Sequence, residues 1–178
     1  MFASALAYVC TTGMTVAQIP ESQKMTGKID VIYSKVLDCY IEIGYHTKLR
    51  SIRFVPQGKH LKEKKTNDAT FELENYFNGK QTDFSSVVDL SLLSPFEQKV
   101  LTQTRKIKYG KTITYSELAE KIGSRAYRAV GNALSKNPVP IIIPCHRIVA
   151  KKGIGGYSQG LEIKTRLLEL EKRNLNNL

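Results

Sequence analysis

The sequence predicts two units in series, an α/β unit followed by a mainly helical one. Three observations predict it. β-Branched and aromatic residues alternate through residues 29–55, helical spacing with capping signals takes over at Ser94, and nearly all the excess positive charge follows that switch. Residues 1–93 carry 11 basic and 10 acidic side chains, whereas residues 94–178 carry 16 and 6, out of a formal net charge of +11. A charge so divided points to one polyanion-binding face; a solubilising surface is the plainer alternative. With 178 residues, 42% hydrophobic and 24% charged, the chain is a globular protein and not a disordered or fibrous one. Its size suffices for one ordinary domain or two small ones.

Three strands are expected first, Ile29–Tyr33, Val36–Gly44 and Leu49–Val55, with breaks near Ser34, Lys35, Tyr45, His46 and Thr47. They read as an antiparallel meander with one half-buried face. A lysine-rich connection, Lys59–Asn67, leads to a short helix over Asp68–Phe77 that ends at Gly79. Residues 80–92 read as an irregular linker, so the expected domains are 1–92, with 1–25 unassigned, and 93–178. The apolar opening run Met1–Val9 lacks a basic flank and is shorter than the ~18 residues a membrane span needs. It reads as an unusual first strand or as sequence ahead of a later start at Met14 or Met25, and no membrane partner is expected.

In the second unit Ser94, Pro95 and Glu97 form a capping box, and Phe96, Val100 and Ile107 follow at helical spacing until Tyr109 and Gly110. Thr114 caps the next helix with Glu117 at its third position, and Leu118, Ala119 and Ile122 give its apolar face up to Gly123. Ser124 is expected to cap a further helix, Arg125–Lys136. Two short helices about a glycine turn are the pattern of a helix-turn-helix, though such pairs also occur without nucleic acid. In the second helix Ala126, Ala129, Val130 and Ala133 are expected inward, with Arg125, Arg128 and Asn132 on the opposite, groove-facing side. Then come the stiff loop Asn137–Pro138–Val139–Pro140, the apolar run Ile141–Ile143 and Pro144–Cys145–His146–Arg147. A basic, glycine-rich loop from Lys151 ends in Tyr157 and Ser158, and a last helix is expected over Leu161–Arg173, with a frayed tail, Asn174–Leu178.

Cys10, Cys39 and Cys145 are odd in number and widely spaced, so no disulfide framework is expected and a reducing compartment fits. Cys145 is followed by an imidazole and a fixed positive charge, and a basic neighbour raises the fraction of nucleophilic thiolate. On a straight strand His146 would face away from Cys145, so either a turn brings them together or a water relays the proton. Glu171 is a candidate to orient His146. An inert core cysteine is the other reading of Cys145 at this point. The three histidines, His46, His60 and His146, show no paired metal-ligand spacing, and the glycines after Lys152 lack a phosphate-loop ending. A groove-binding helix beside a reactive thiol has one economical use, chemistry on a base turned out of the duplex.

The run Ile143–Pro144–Cys145–His146–Arg147–Ile148–Val149 resembles the active-site motif of the O6-alkylguanine-DNA alkyltransferases. Tyr109–Gly110–Lys111–Thr112–Ile113–Thr114–Tyr115, Leu118–Ala119, Arg128–Ala129–Val130–Gly131, Asn137–Pro138, Gly156–Tyr157–Ser158 and the closing helix are similar in order and spacing. The resemblance covers residues 94–173 and extends more loosely to Tyr76–Phe77–Asn78–Gly79–Lys80. It implies an N-terminal ribonuclease-H-like sheet and a helical C-terminal domain whose winged helix-turn-helix takes double-stranded DNA through the minor groove. It implies irreversible, single-turnover transfer of an alkyl group from O6-alkylguanine, and more weakly from O4-alkylthymine, to Cys145, with no cofactor and no metal. By the same resemblance His146 takes the thiol proton through a water, Glu171 orients it, and Asn137 holds the hinge between recognition helix and site. Arg128 is the intercalating finger, Tyr115 turns the 3′ phosphate and donates a proton to guanine, Ser158 contacts the alkylated O6, and Tyr157 lines the alkyl pocket. Arg147, Gly131 and Lys164 are carried over as substrate-side positions; Arg125, Ala129 and Asn132, with Arg128 and Tyr115, as DNA contacts. A cytoplasmic monomer without an obligate protein partner is implied as well.

The sequence departs from the family pattern at Leu101 and Lys108, both scaffold positions, and holds neither an evident zinc ligand set nor a phosphotriester-sensing domain. Two other functions compete. A noncatalytic damage-binding relative would lack the reactive cysteine, which this chain keeps. A cysteine hydrolase would not account for the basic second half.

Overall fold

A computed structural model describes residues 27–56 and 61–176. The run Met1–Val9, Cys10, Lys59, His60 and the last two residues of the tail lie outside the described residues. Strands β1 (Lys28–Ser34), β2 (Cys39–Tyr45) and β3 (Leu49–Pro56) form an antiparallel sheet in that order. Alternation sets the buried face of β2, where Cys39, Ile41, Ile43 and Tyr45 all point inward. The middle strand starts later than the expected Val36, because Ser34 accepts the Asp38 amide at 2.8 Å and Asp38 sits at φ 55°, making 35–38 a tight turn. Both outer edges are covered, β1 by a bridge to Lys64 and β3 by one to Val88.

Asp30, wholly buried on β1, anchors the start of α1 (Asp68–Phe77). Its carboxylate accepts from the Thr66 and Asn67 amides and from the hydroxyls of Thr66, Thr70 and Tyr45 at 2.5–3.1 Å. Burial raises the Asp30 pKa, but these donors outweigh it and the net shift is downward. The segment 80–92 has no regular structure, yet it is held on both sides. Glu72 of α1 accepts from the amides and hydroxyls of Ser85 and Ser86. Arg105 of α2 (Pro95–Arg105) donates to the carbonyls of Phe84 and Ser86 at 3.1 and 2.7 Å.

Ser94 and Glu97 form the expected capping box of α2, but the helix stops at Arg105, short of Tyr109. β4 (Ile113–Thr114) leads directly into α3 (Tyr115–Lys121), which is capped by Thr114 and Glu117 as expected. Gly123, at φ 68°, makes the turn to α4 (Tyr127–Ser135). The expected start at Arg125 is corrected here. Ser124 Oγ accepts only the Ala126 amide, Ala126 is non-helical at φ −85° and ψ 67°, and α4 begins two residues later. Arg125 therefore precedes the helix and does not share a helical stripe with Arg128 and Asn132. The inward face is Val130, Ala133 and Leu134, while Ala126 is exposed and Ala129 only half-buried.

β5 (Ile148–Val149) pairs in parallel with β4, and α5 (Leu161–Leu175) closes the chain. The expected fraying after Arg173 is also corrected. Asn174 Nδ2 donates to the Tyr109 hydroxyl at 3.0 Å, and a Cβ on Gly110 would lie 2.0 Å from Leu175 Cδ1. Gly110, at φ 65°, is thus required by its backbone, and a side chain there would have to push Leu175 of α5 aside. The architecture is a small sheet-and-helix N-terminal part and a helical C-terminal part. One continuous apolar cluster runs from Ile41 and Ile43 through Tyr76 and Leu101 to Cys145 and Leu170.

Candidate active site

The loop 137–147 is fixed from several directions. Pro138, Pro140 and Pro144 lock φ, and the Ile52 amide of β3 donates to the Pro138 carbonyl at 2.8 Å. Ile141 sits buried at φ 76°, a conformation costing a β-branched residue roughly 1–3 kcal/mol. Such strain persists only where the surroundings over-determine the backbone. The payoff is local: Cys145–Arg147 wind into a 3-10 turn, not a strand, so the Cys145 and His146 side chains leave a helical backbone. A turn is present, as the first of the two alternatives has it, but it does not join the two groups. The thiol and imidazole still share no direct hydrogen bond.

Cys145 is 6% exposed. Asn137 Nδ2 donates to its Sγ at 3.0 Å and to the Ile143 carbonyl at 2.8 Å, while Asn137 Oδ1 accepts the Val139 amide at 3.1 Å. That amide donor fixes which end of the Asn137 side chain faces the sulfur. Burial pushes the Cys145 thiol above its usual range; the Asn137 and Tyr157 side chains and the Lys164 charge pull it back in part. Cys39, free and buried beneath the sheet, is pushed to about 11 by burial and the nearby Asp38, which outweigh the Arg166 charge.

His146 Nε2 lies 2.8 Å from Glu171 Oε1, both residues wholly buried. Burial alone would raise the Glu171 pKa, but hydrogen bonds from His146 and Arg147 bring it down to about 2. An ionised carboxylate only accepts, so the imidazole proton is on Nε2 and the Nδ1 lone pair is free. Nδ1 is buried without a protein partner among the described residues. Burial lowers the His146 pKa more than Glu171 raises it, so the resting imidazole is neutral and Arg147 supplies the positive charge. Arg147 donates three hydrogen bonds to Glu171 at 2.9–3.1 Å and one to the Ile107 carbonyl at 2.5 Å, with its guanidinium 5.5 Å from the Tyr109 ring centroid.

The opposite wall comes from α3, α5 and the loop between β5 and α5. Lys164 is fully buried and donates to the carbonyls of Ile148 and Gly156 at 2.5 and 3.1 Å; burial lowers its pKa to about 8. The Tyr115 hydroxyl donates to the same Gly156 carbonyl at 3.1 Å. Gly155, at φ 72°, passes so close that a Cβ would lie 2.9 Å from the Ala150 nitrogen and 3.1 Å from Tyr115 Cε2. This bracing presents Tyr157 to the site. Burial pushes its hydroxyl well above the ordinary tyrosine range, and among the described residues that hydroxyl makes no hydrogen bond of normal geometry.

Of the residues singled out in the sequence, the structure brings Cys145, His146, Asn137, Glu171, Arg147, Lys164, Tyr115 and Tyr157 into this one cluster. Ser158 stands exposed at its edge. Arg125, Arg128 and Asn132 are exposed on and before α4, with Ala129 and Gly131 half-buried, and none of them touches the thiol cluster. Two partners of Glu171 were not singled out: the Tyr76 hydroxyl and the Gly110 amide, each 2.8 Å away. Tyr76 falls in the looser N-terminal stretch of the resemblance, which is the one signal that marked it. Among the described residues no three His, Cys, Asp or Glu side chains gather as a metal site, and no helix is long and apolar enough to cross a membrane.

Comparison with known proteins bears on the family and the fold. Residues 95–173 match the family model described as the 6-O-methylguanine DNA methyltransferase DNA-binding domain. The methylated-DNA–protein-cysteine methyltransferase of Metallosphaera sedula is 50% identical over 100 residues, 56% of this chain and 64% of that protein. A probable methylated-DNA–protein-cysteine methyltransferase of Acanthamoeba polyphaga mimivirus is 42% identical over 150 residues, 83% of this chain and 98% of that one. Among solved structures, the O6-methylguanine methyltransferase of Mycobacterium tuberculosis superposes with a TM-score of 0.71 at 34% identity, over 82% of this chain and 93% of that one. Mycobacterium tuberculosis OGT in complex with DNA superposes with a TM-score of 0.70.

Proposed function

The chain belongs to the methylated-DNA–protein-cysteine methyltransferase family, and from that premise we infer that it repairs double-stranded DNA by moving the alkyl group of O6-alkylguanine onto its own Cys145. The observation that carries this reading is the Cys145 thiol held by Asn137 at 3.0 Å beside a neutral His146 that is oriented by an ionised Glu171. Both resting groups are uncharged, because burial disfavours thiolate and imidazolium alike. Entry of the extrahelical base brings the electrophilic carbon to Sγ, and the thiol proton passes by way of a water to His146 Nδ1. The S–C bond forms as the C–O6 bond breaks, and the electron pair of the broken bond stays with guanine, which then takes up the proton. Thiol plus O6-alkylguanine thus gives thioether plus guanine.

Charge develops on the departing guanine, and Tyr115, Tyr157 and Ser158 are the donors assigned to it in this reading. A thioether has no carbonyl for water to attack, so each molecule acts once. O4-alkylthymine presents the same kind of carbon and is the weaker substrate. Arg128, with Arg125, Ala129, Asn132 and Tyr115, meets the DNA through the minor groove, and Arg128 fills the space the base vacates. Free thiols at Cys39 and Cys145 suit a reducing compartment, and its place of work is the cytoplasm.

Intact-mass measurement after incubation with duplex DNA carrying O6-methylguanine tests the reading. A gain of one CH2 unit per chain, mapped to the Cys145 peptide, is expected; an unchanged mass, or a methyl on Cys39, would overturn it. Arg128→Ala is expected to slow repair of the duplex by about tenfold or more, the equivalent of about 1.4 kcal/mol of base extrusion, and to leave reaction with free O6-benzylguanine unchanged. Equal losses on the two substrates would remove Arg128 from the flipping step.

A further inference from the structure

The carboxylate of Glu171 is where the two parts of the protein meet chemically. Its Oε1 accepts from His146 Nε2 and the Tyr76 hydroxyl, both at 2.8 Å, and from Arg147; its Oε2 accepts from the Gly110 amide and Arg147. Tyr76 comes from α1, 95 residues earlier in the chain, and is wholly buried. Its ring packs edge-on to Phe77 and Tyr109 and tilted against Phe84, with centroids 5.4–5.7 Å apart. Phenylalanine would fill that space equally well, so packing does not require the hydroxyl. Nor does neutralising the carboxylate, since Arg147 already pairs with it three times. On the oxygen that holds the imidazole the hydroxyl joins Arg147 Nε and Nη2, and among the described residues it is the one donor there that comes from the N-terminal part.

We propose that Tyr76 is a positioning residue for alkyl transfer, an N-terminal side chain that sets the orientation and hydrogen-bonding strength of His146 by sharing Glu171 Oε1 with it. A donor on Oε1 draws electron density away from the bond to His146 Nε2 and limits how strongly the carboxylate polarises the ring. Together with Arg147 and the Gly110 amide it holds the carboxylate plane, and with it the direction in which the bare Nδ1 points. The proposal rests on the alkyl-transfer reading for its kinetic consequence, but the link among the three side chains can be read without any transfer.

Tyr76→Phe in the full chain removes the donor and keeps the ring. The imidazole Nε2 proton of His146, observed by nitrogen-15 NMR, is expected to move downfield as its bond to Glu171 strengthens. 3-Fluorotyrosine placed at position 76 is a stronger donor and is expected to move the same proton upfield, without dependence on how Tyr76→Phe folds. Single-turnover transfer should slow about tenfold in Tyr76→Phe, because misdirection of Nδ1 outweighs the gain in its basicity from the stronger Glu171 bond, alike for O6-benzylguanine and for duplex DNA, and Tyr76→Phe should have no further effect in a Glu171→Gln background. An unmoved Nε2 proton in the fluorotyrosine protein, or an undiminished effect of Tyr76→Phe in the Glu171→Gln background, would overturn the proposal. If the unaltered protein gained no methyl while the proton still moved in both directions, the alkyl-transfer reading would fail and the Tyr76–Glu171–His146 link would stand.

Discussion

Replacing Cys145 with alanine is expected to end alkyl transfer outright while leaving the fold and duplex binding in place. The side chain touches one donor, Asn137 Nδ2, which keeps its second acceptor, the Ile143 carbonyl at 2.8 Å. Loss of the sulfur therefore leaves Asn137 Nδ2 paired, and the cost in stability is about 1 kcal/mol. The basic groups before and along α4 are untouched, so binding measured by anisotropy on an O6-methylguanine duplex should match that of the unaltered protein. The intact mass of the variant should not change after exposure to that DNA. A methyl appearing on the alanine protein would move the acceptor elsewhere, and the described alternative, Cys39, lies sealed with its thiol pushed to about 11.

Glu171→Gln is expected to be the most destabilising single change of comparable size. The amide turns one acceptor into a donor, facing His146 and the Tyr76 hydroxyl or the Gly110 amide, and leaves the buried Arg147 without its counter-charge. Breaking a buried ion pair from one side costs roughly 3–5 kcal/mol. The pH dependence carries its own sign. Glu171 falls from its ordinary 4.5 to about 2 on folding, so its contribution is complete above pH 4.5 and is lost as the pH falls toward 2. That depression corresponds to about 3 kcal/mol. Urea melts between pH 6 and 2 should show the unaltered protein losing this increment while the glutamine variant, already lacking it, shows a flatter decline. Parallel curves would mean the carboxylate is not ionised in the fold. Transfer should slow in the same variant, because His146 loses the acceptor that holds its Nε2 proton.

Local chemistry was legible in the sequence wherever partners lie within a few residues. The capping boxes at Ser94 and Thr114, the turn at Gly123 and the helix over Asp68–Phe77 are all of that kind. Arg125 was misplaced because serine suggests a cap, whereas the backbone at Ala126 delays the helix. The end of α5 was misjudged because a polar asparagine run looks frayed until Tyr109 and Gly110 are seen packed against it. Residue 145 was legible through its motif, but the 3-10 turn beneath it depends on prolines and on a contact from β3 that no local period announces. Glu171 could be named as a partner for His146, while Tyr76 and the Gly110 amide could not, since sequence separations of 95 and 61 residues specify no distance.

The shared carboxylate also sets a limit on modular engineering. A cassette cut to residues 95–173 and spliced to a foreign scaffold would carry every side chain of the thiol cluster, yet it would leave behind the α1 hydroxyl that steadies the base. Such a chimera needs a replacement phenol delivered at the same depth, so swapping the front half of this protein amounts to redesigning its chemistry.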